Sequence, residues 1–219
     1  MWGIDRIVKE LVAWLRSEQE QAPPDPLAAN RLRAIARARV IAAGPSRYKL
    51  GAGGRNPLAM TPFTDRDGVL GCDCVGFTAW CLGHDRYQPK TFSHYDGWIN
   101  CDSLMADARG GQSWYEQVRK PESGDVVVFP SIVVHGERKR IGHIGLVTFV
   151  PANMPDDVYG LSDTERRRWL LKVGVIDCAG ARVRRDSGRA VTETTAAASW
   201  DKPDAMFARC KRWPSSPTA

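Results

Sequence analysis

HIGLVTFV, residues 143–150, is a run of β-branched and aromatic residues between a glycine and a proline, which is typical of a buried β-strand. Similar runs follow the same strand rhythm at residues 125–129, 132–134 and 171–176. Apolar residues at helical spacing instead dominate the first half, at residues 4–20, 27–43 and 74–83 (CVGFTAWCLG). Helices followed by strands predict an α+β fold, in which helix 74–83 packs on an antiparallel sheet.

Domain boundaries follow from a Pro-rich break at residues 22–26. It predicts an amphipathic helix within residues 1–22, separate from one main domain at residues 27–212. A chain of 219 residues is long enough for one well-filled core. Residues 213–219 are predicted to form a loose tail. Inside the main domain, the Gly- and Thr-rich residues 48–71 are predicted to be loop, and residues 87–119 irregular with short helices.

Composition narrows the class of partner. The net charge of +6 favours anionic partners, but the basic clusters are interrupted by apolar and acidic residues, so no nucleic-acid partner is expected. No apolar run approaches the roughly 20 residues that span a bilayer, so stable membrane insertion is not expected either. The amino terminus mixes charges into its apolar residues and has no cleavage site of a secretory signal. We therefore expect synthesis in the cytosol.

Cysteine is used in a way that argues against a metal site. The pair Cys72 and Cys74 forms C-x-C without a second pair at zinc-finger spacing, and a chain of this length without a signal rarely depends on disulfides. We predict no metal, no organic cofactor and mostly buried free thiols. The six cysteines are Cys72, Cys74, Cys81, Cys101, Cys178 and Cys210.

Cys74 and His143 form the candidate catalytic pair. Cys74 opens the helix predicted over residues 74–83, where the helix dipole favours a thiolate, and Asp73 is placed to accept backbone N–H bonds in the preceding turn. His143 begins an apolar strand between small residues, which leaves room for its imidazole to approach a thiol on a facing helix. A cysteine and a histidine so placed predict nucleophilic catalysis.

A third polar group is needed to orient the imidazole from its far nitrogen. Asp177, at the end of the strand after His143, is the first candidate. Asn153 and Asp156 remain alternatives, because residues 151–170, with a helix start predicted at Asp163, separate the two strands. The other histidines, at positions 84, 94 and 135, lie in polar segments and are expected on the surface.

Four sequence elements, taken in order, resemble the NlpC family of papain-like cell-wall peptidases. They are Tyr48 to Gly51, Asp73-Cys74-Val75-Gly76-Phe77, Gly124-Asp125-Val126-Val127 and Gly142-His143-Ile144-Gly145. The resemblance covers about residues 27–185. It implies a papain-like fold, with the antiparallel sheet packed against an N-terminal helical half that carries the nucleophile helix. A related amidase group with this fold, the CHAP group, lacks the Asp-Cys-x-Gly element and ranks second.

The resemblance also assigns roles. Cys74 would be the nucleophile, His143 the base and Asp177 the orienting residue, while Tyr48, Asp73 and Gly142 would lie on the substrate side. Family members cut amide bonds in the stem peptide of peptidoglycan, or the bond that joins it to muramic acid. Three features depart from the family pattern: Val75 replaces a serine, Asp177 stands where His, Asn or Gln is more frequent, and a long insertion at residues 151–170 separates the strands of His143 and Asp177.

The predicted function is thus hydrolysis of a peptidoglycan amide bond by a monomer that reaches the wall without a signal of its own. A phage lysin is the most economical setting; a tail-associated wall hydrolase or an interbacterial toxin is also compatible. Two other readings remain open. One is an acyltransferase or transglutaminase-like enzyme that uses the same thiol. The other is a non-catalytic wall-binding or assembly module on a degenerate peptidase fold.

Overall fold

The computed structural model describes residues 26–66, 69–111, 113–180 and 189–213. The strands, in chain order, are β1 Thr64–Arg66, β2 Val69–Gly71, β3 Tyr115–Val118, β4 Val126–Phe129, β5 Ile132–Val134, β6 Glu137–Arg140, β7 His143–Phe149, β8 Gly174–Cys178, β9 Val191–Thr195 and β10 Met206–Cys210. Six of them form one antiparallel sheet in the order β3-β10-β4-β7-β8-β9. The other four form two hairpins, β1–β2 and β5–β6.

Helices cover both faces of the sheet. They are α1 Pro26–Ala43, α2 Cys74–Cys81, α3 Cys101–Ala106 and α4 Asp163–Leu170, with a π-helical turn over Asp107–Gly111 and 3-10 turns over Tyr95–Gly97 and Ala196–Ala198. Helices α1, α2 and α3 pack on one face, and α4 with the turn at Ala196–Ala198 packs on the other.

Successive side chains of β7 point to opposite faces of the sheet and belong to two separate hydrophobic clusters, one on each face. Ile144 and Leu146 belong to the cluster under α1–α3, whereas Val147 belongs to the cluster that contains Leu170 and Trp200. This is the period-2 pattern of a strand buried on both sides. β7 is therefore a central strand. Its first residue, His143, lies at the end of the strand and so at the edge of the two hydrophobic layers.

The structure confirms the α+β class and the antiparallel sheet. Helix 27–43 is confirmed to within one residue, α2 begins at Cys74 as predicted, and α4 begins at the predicted Asp163. In the part of the chain that is described, no helix combines the length and apolarity needed to cross a bilayer. The helix predicted within residues 1–22 and tail residues 214–219 lie outside the described ranges.

Several predictions about elements are wrong. Residues 48–71 are not all loop, because they contain β1 and β2. The strand predicted over residues 171–176 begins at Gly174, since residues 171–173 donate backbone hydrogen bonds that close the end of α4. β3 lies in the stretch predicted to be irregular, and β9 and β10 were not predicted. His84, expected on the surface, is buried.

Candidate active site

A capped turn presents Cys74 at the first position of α2. The Asp73 carboxylate accepts hydrogen bonds from the backbone N–H of Gly76 and of Gly51, both at 2.8 Å. A side chain at position 76 would meet the carbonyl oxygen of Ala52 at 2.5 Å, so glycine there lets the loop at residues 51–54 close over the helix start. The Asp-Cys-x-Gly element thus builds the turn that holds the thiol. The predicted capping by Asp73 is confirmed.

Arg86 supports this turn from beneath and was not found by sequence reasoning. Its guanidinium lies 2.8 Å from the Asp73 carboxylate and donates to the carbonyl of Ile99 at 3.2 Å, and both charged side chains are buried. With Arg86 and two backbone N–H groups as partners, the Asp73 carboxylate is engaged within the protein. A buried ion pair of this kind holds the turn in one arrangement, because removing either partner would leave the other charge buried without compensation. Contact between Asp73 and substrate stays a prediction.

His143 and Asp177 meet across neighbouring strands. Gly145 of β7 pairs with Asp177 of β8, so His143, two residues earlier, is a diagonal neighbour of Asp177 on the same face. Nε2 of His143 lies 2.6 Å from Oδ2 of Asp177, whose side chain is almost wholly buried. This bond engages Nε2, so Nδ1 is the ring nitrogen that remains for the thiol. The fallback candidates lie elsewhere: Asn153 is exposed, and the exposed Asp156 pairs with Lys120.

Trp200 lies flat against the imidazole, a contact that local sequence does not signal. The two ring centroids are 5.2 Å apart with an interplanar angle of 15°, and Trp200 is fully buried. A side chain at position 145 would meet the indole at 2.8 Å, so the glycine of His-Ile-Gly makes room for this stack. The indole shields one face of the imidazole from water and favours its cationic form.

The electrostatics make Cys74 and His143 an ion pair. The pKa of Cys74 falls to about 5: hydrogen bonding by the Cys101 thiol is the largest cause, burial opposes it, and His143 lowers the pKa further. The pKa of His143 rises to about 10; burial lowers it, but the Cys74 thiolate and Asp177 outweigh burial. Near neutral pH the site therefore holds a thiolate beside an imidazolium. This is the reactive state of a cysteine nucleophile.

The remaining predicted residues, Tyr48 and Gly142, lie in segments that adjoin the candidate pair. The backbone of Tyr48 forms an isolated β-bridge with Cys72, two residues before Cys74. Burial and the negative charge of Cys74 raise the pKa of the Tyr48 phenol. Gly142 is buried, and its N–H donates to the Ser131 hydroxyl at 3.1 Å. Their predicted contacts with substrate remain predictions. Cys101, at the start of α3, was expected to be only a buried thiol; its position directly after the helix cap Asn100 is the signal that could have singled it out.

The arrangement has the parts needed for acyl transfer through a thioester. In such a reaction a thiolate serves as nucleophile, an imidazolium as proton donor, and a carboxylate orients the imidazolium. At the start of α2, the backbone N–H of Cys74 belongs to the first turn, whose N–H groups have no partner within a helix, so it is a candidate oxyanion donor. Among the described residues, no group of three or more His, Cys, Asp or Glu side chains is arranged to hold a metal ion.

Comparison with known proteins assigns the chain to no family. The chain matches no protein-family model, no curated protein and no solved structure.

Proposed function

We propose that the protein hydrolyses an amide bond in the stem peptide of peptidoglycan through a Cys74 acyl-enzyme. The observation that carries this proposal is the 2.6 Å hydrogen bond between the His143 imidazole and Asp177, together with Cys74 at a helix start, whose pKa that imidazole lowers. The choice of peptidoglycan, and of a papain-like architecture, rests on the resemblance of four sequence elements to the NlpC family.

In the first half of the reaction, the Cys74 thiolate attacks the amide carbonyl carbon. Negative charge moves to the carbonyl oxygen, which the backbone N–H of Cys74 is placed to stabilise. As the C–N bond breaks, His143 donates the proton on Nδ1 to the departing amine, and a thioester remains on Cys74. Asp177 keeps its bond to Nε2 throughout, so the ring stays aimed at the sulfur.

The second half returns the enzyme to its starting state. Neutral His143 takes a proton from water, and the resulting hydroxide attacks the thioester carbonyl. The C–S bond breaks, the acid product leaves, and the site holds thiolate and imidazolium once more. Each proton lost by His143 in the first half is regained in the second, so the cycle consumes only the amide and water.

Charge near the site fits an anionic polymer as substrate. The β5–β6 hairpin continues directly from the ends of β4 and β7, where Phe129 pairs with His143. Strand β6 carries Arg138 and Lys139, both exposed, and Lys139 pairs with the exposed Glu137. Positive charge on this hairpin would raise the encounter rate with the carboxylates of stem peptides, most strongly at low salt. Release to the wall by a partner pore, as for a phage lysin, is the proposed setting.

Product analysis tests the proposal. Purified peptidoglycan is digested with the wild type and with Cys74→Ala, and the soluble fragments are identified by mass spectrometry. We expect fragments with one new amine and one new carboxyl group from the wild type alone, and their masses identify the bond. Incorporation of an added primary amine, without net hydrolysis, would instead indicate an acyltransferase. Wall binding by both proteins without any new amine would indicate a non-catalytic module and contradict the proposal.

A further inference from the structure

Arg86 is a buried cation that is bonded to three separate segments near the candidate site. Its backbone N–H donates to the carbonyl of Gly54 at 2.7 Å, and its carbonyl accepts from the N–H of Ile99 at 2.9 Å. Its guanidinium donates to the Asp73 carboxylate at 2.8 Å, to the carbonyl of Ile99 at 3.2 Å and to the carbonyl of Ala52 at 3.3 Å. A planar guanidinium has several donors in fixed directions, so it can hold all three acceptors at once.

Two of these acceptors belong to the segments from which helices of the site begin. Asp73 caps α2, whose first residue is Cys74. Ile99 comes directly before Asn100, which caps α3, and the first residue of α3 is Cys101. One guanidinium is therefore bonded to the segment before each helix start, and it holds the two segments together.

The charge of Arg86 matters as well as its shape. Asp73 directly precedes Cys74, and its carboxylate is buried. The pKa of Cys74 is lowered mainly by the Cys101 thiol, whereas the negative charge of Asp73 acts in the opposite direction. Arg86 forms an ion pair with that carboxylate at 2.8 Å. The cation therefore reduces the cost of forming a thiolate next to a buried carboxylate.

We propose that Arg86 is a positioning residue of the reaction, which holds the turn that presents Cys74 and balances the Asp73 charge beside the thiolate. The inference rests on the proposed function only in taking Cys74 as the nucleophile. The side-chain hydrogen bonds of Arg86 described above are all made to the protein. We therefore expect Arg86 to act through Cys74, so that its replacement lowers kcat and leaves KM almost unchanged.

The pH dependence of Cys74 alkylation by iodoacetamide measures the charge balance without substrate. In Arg86→Met the Asp73 charge is uncompensated, so the midpoint should rise by about one pH unit above that of the wild type. In Asp73→Asn the uncompensated charge is positive, so the midpoint should fall. With both substitutions neither charge is left, and the midpoint should return to within about half a pH unit of the wild type. A purely structural role predicts no such reversal of sign.

Two further variants separate charge from geometry and from general stability. Arg86→Lys keeps the charge but loses the planar set of donors, so the midpoint should stay near that of the wild type while kcat falls about 10-fold. Arg166→Met removes another buried arginine, which pairs with Asp201 at 3.0 Å and belongs to α4 on the opposite face of the sheet. It should change neither quantity at temperatures where the variant is folded. All these variants keep the other ionisable groups that interact with Cys74, namely Tyr48, Cys101, His143 and Cys178.

The outcomes decide as follows. A midpoint that does not rise in Arg86→Met, or that rises equally in Arg166→Met, overturns the inference, and so does wild-type kcat in Arg86→Lys. If Arg86→Met does not fold, a midpoint that fails to fall in Asp73→Asn overturns it. Each midpoint is compared with that of the wild type, so the inference can fail while peptidoglycan is cleaved, and its charge balance can hold when no cleavage is found.

Discussion

Two cysteine–histidine pairs lie among the described residues, and one of the two has the electrostatics of a reactive thiol site. Cys74 and His143 hold opposite charges, with pKa values moved to about 5 and about 10. Cys210 and His84 lie closely together, with Sγ 3.2 Å from Nε2, and both are buried. There, burial raises the pKa of Cys210 to about 12 and lowers that of His84 to about 4, so both stay neutral.

The surroundings explain the difference. Cys74 lies at the start of α2, whereas Cys210 ends strand β10 and its thiol contacts the carbonyl oxygen of Arg212 at 3.1 Å, which requires the protonated form. His143 has a carboxylate on its far nitrogen, while the ring of His84 packs against the edge of Trp114. Contact between thiol and imidazole is therefore not enough. The Cys101 thiol, which lowers the pKa of Cys74, and the Asp177 carboxylate, which raises the pKa of His143, are what convert the contact into an ion pair.

Loss of either member of the charged pair should have the largest effect. We expect Cys74→Ala and His143→Ala each to lower peptidoglycan cleavage by about 10³-fold or more, because nucleophile and base act as a unit. Cys210→Ala and His84→Gln should leave cleavage within about threefold at temperatures where the variants are folded. Fragment release from purified peptidoglycan measures both. Equal losses in the two pairs would erase the distinction between them.

Removing the Asp177 carboxylate should make the Cys74–His143 pair less charged, and so more like the neutral Cys210–His84 pair. Asp177→Asn keeps the shape but not the charge, so the pKa of His143 should fall and kcat should drop by about 10- to 100-fold. Asp156→Asn is the matched control, since Asp156 is the alternative third residue and lies on the surface. A loss in Asp156→Asn with normal kcat in Asp177→Asn would reassign the orienting role.

The smallest effect is expected at Trp200. Trp200→Phe puts a smaller ring against His143 and so weakens the stabilisation of the imidazolium. The value of kcat should therefore fall about 3- to 10-fold, and the alkaline limb of its pH profile should move to lower pH. Trp169→Phe changes a partly buried tryptophan of the same layer that stacks under Lys172, and should alter neither. An unchanged alkaline limb in Trp200→Phe would show that the stack plays no electrostatic part.

Sequence alone predicted the local parts of this molecule better than its long-range contacts. Helix starts at Cys74 and Asp163 follow from caps within the same turn, and the run at 143–150 identifies the central strand without help from the rest of the chain. β3, β9 and β10 are short and mix polar with apolar residues, so their pairing depends on partners far along the chain. Such strands carry little signal of their own.

The site shows the same division. Cys74 and His143 carry local signals, a helix start and a strand start, and Asp177 follows from strand pairing. Arg86 and Trp200 lack such signals, because each contacts the site only through folding that brings distant segments together. His84 was misjudged for the same reason: its neighbours in sequence are polar, but β10 covers it in space.

The pH dependence of Cys74 alkylation tests the central claim most directly, because it needs no substrate. Folded wild type and His143→Ala are treated with iodoacetamide across a pH series, and alkylated peptides are counted by mass spectrometry. Reactivity of Cys74 should rise with a midpoint near pH 5 in the wild type and at clearly higher pH without His143, while Cys210 stays unreacted in both. A wild-type midpoint in the ordinary thiol range near pH 8.5, unmoved by His143→Ala, would contradict the account.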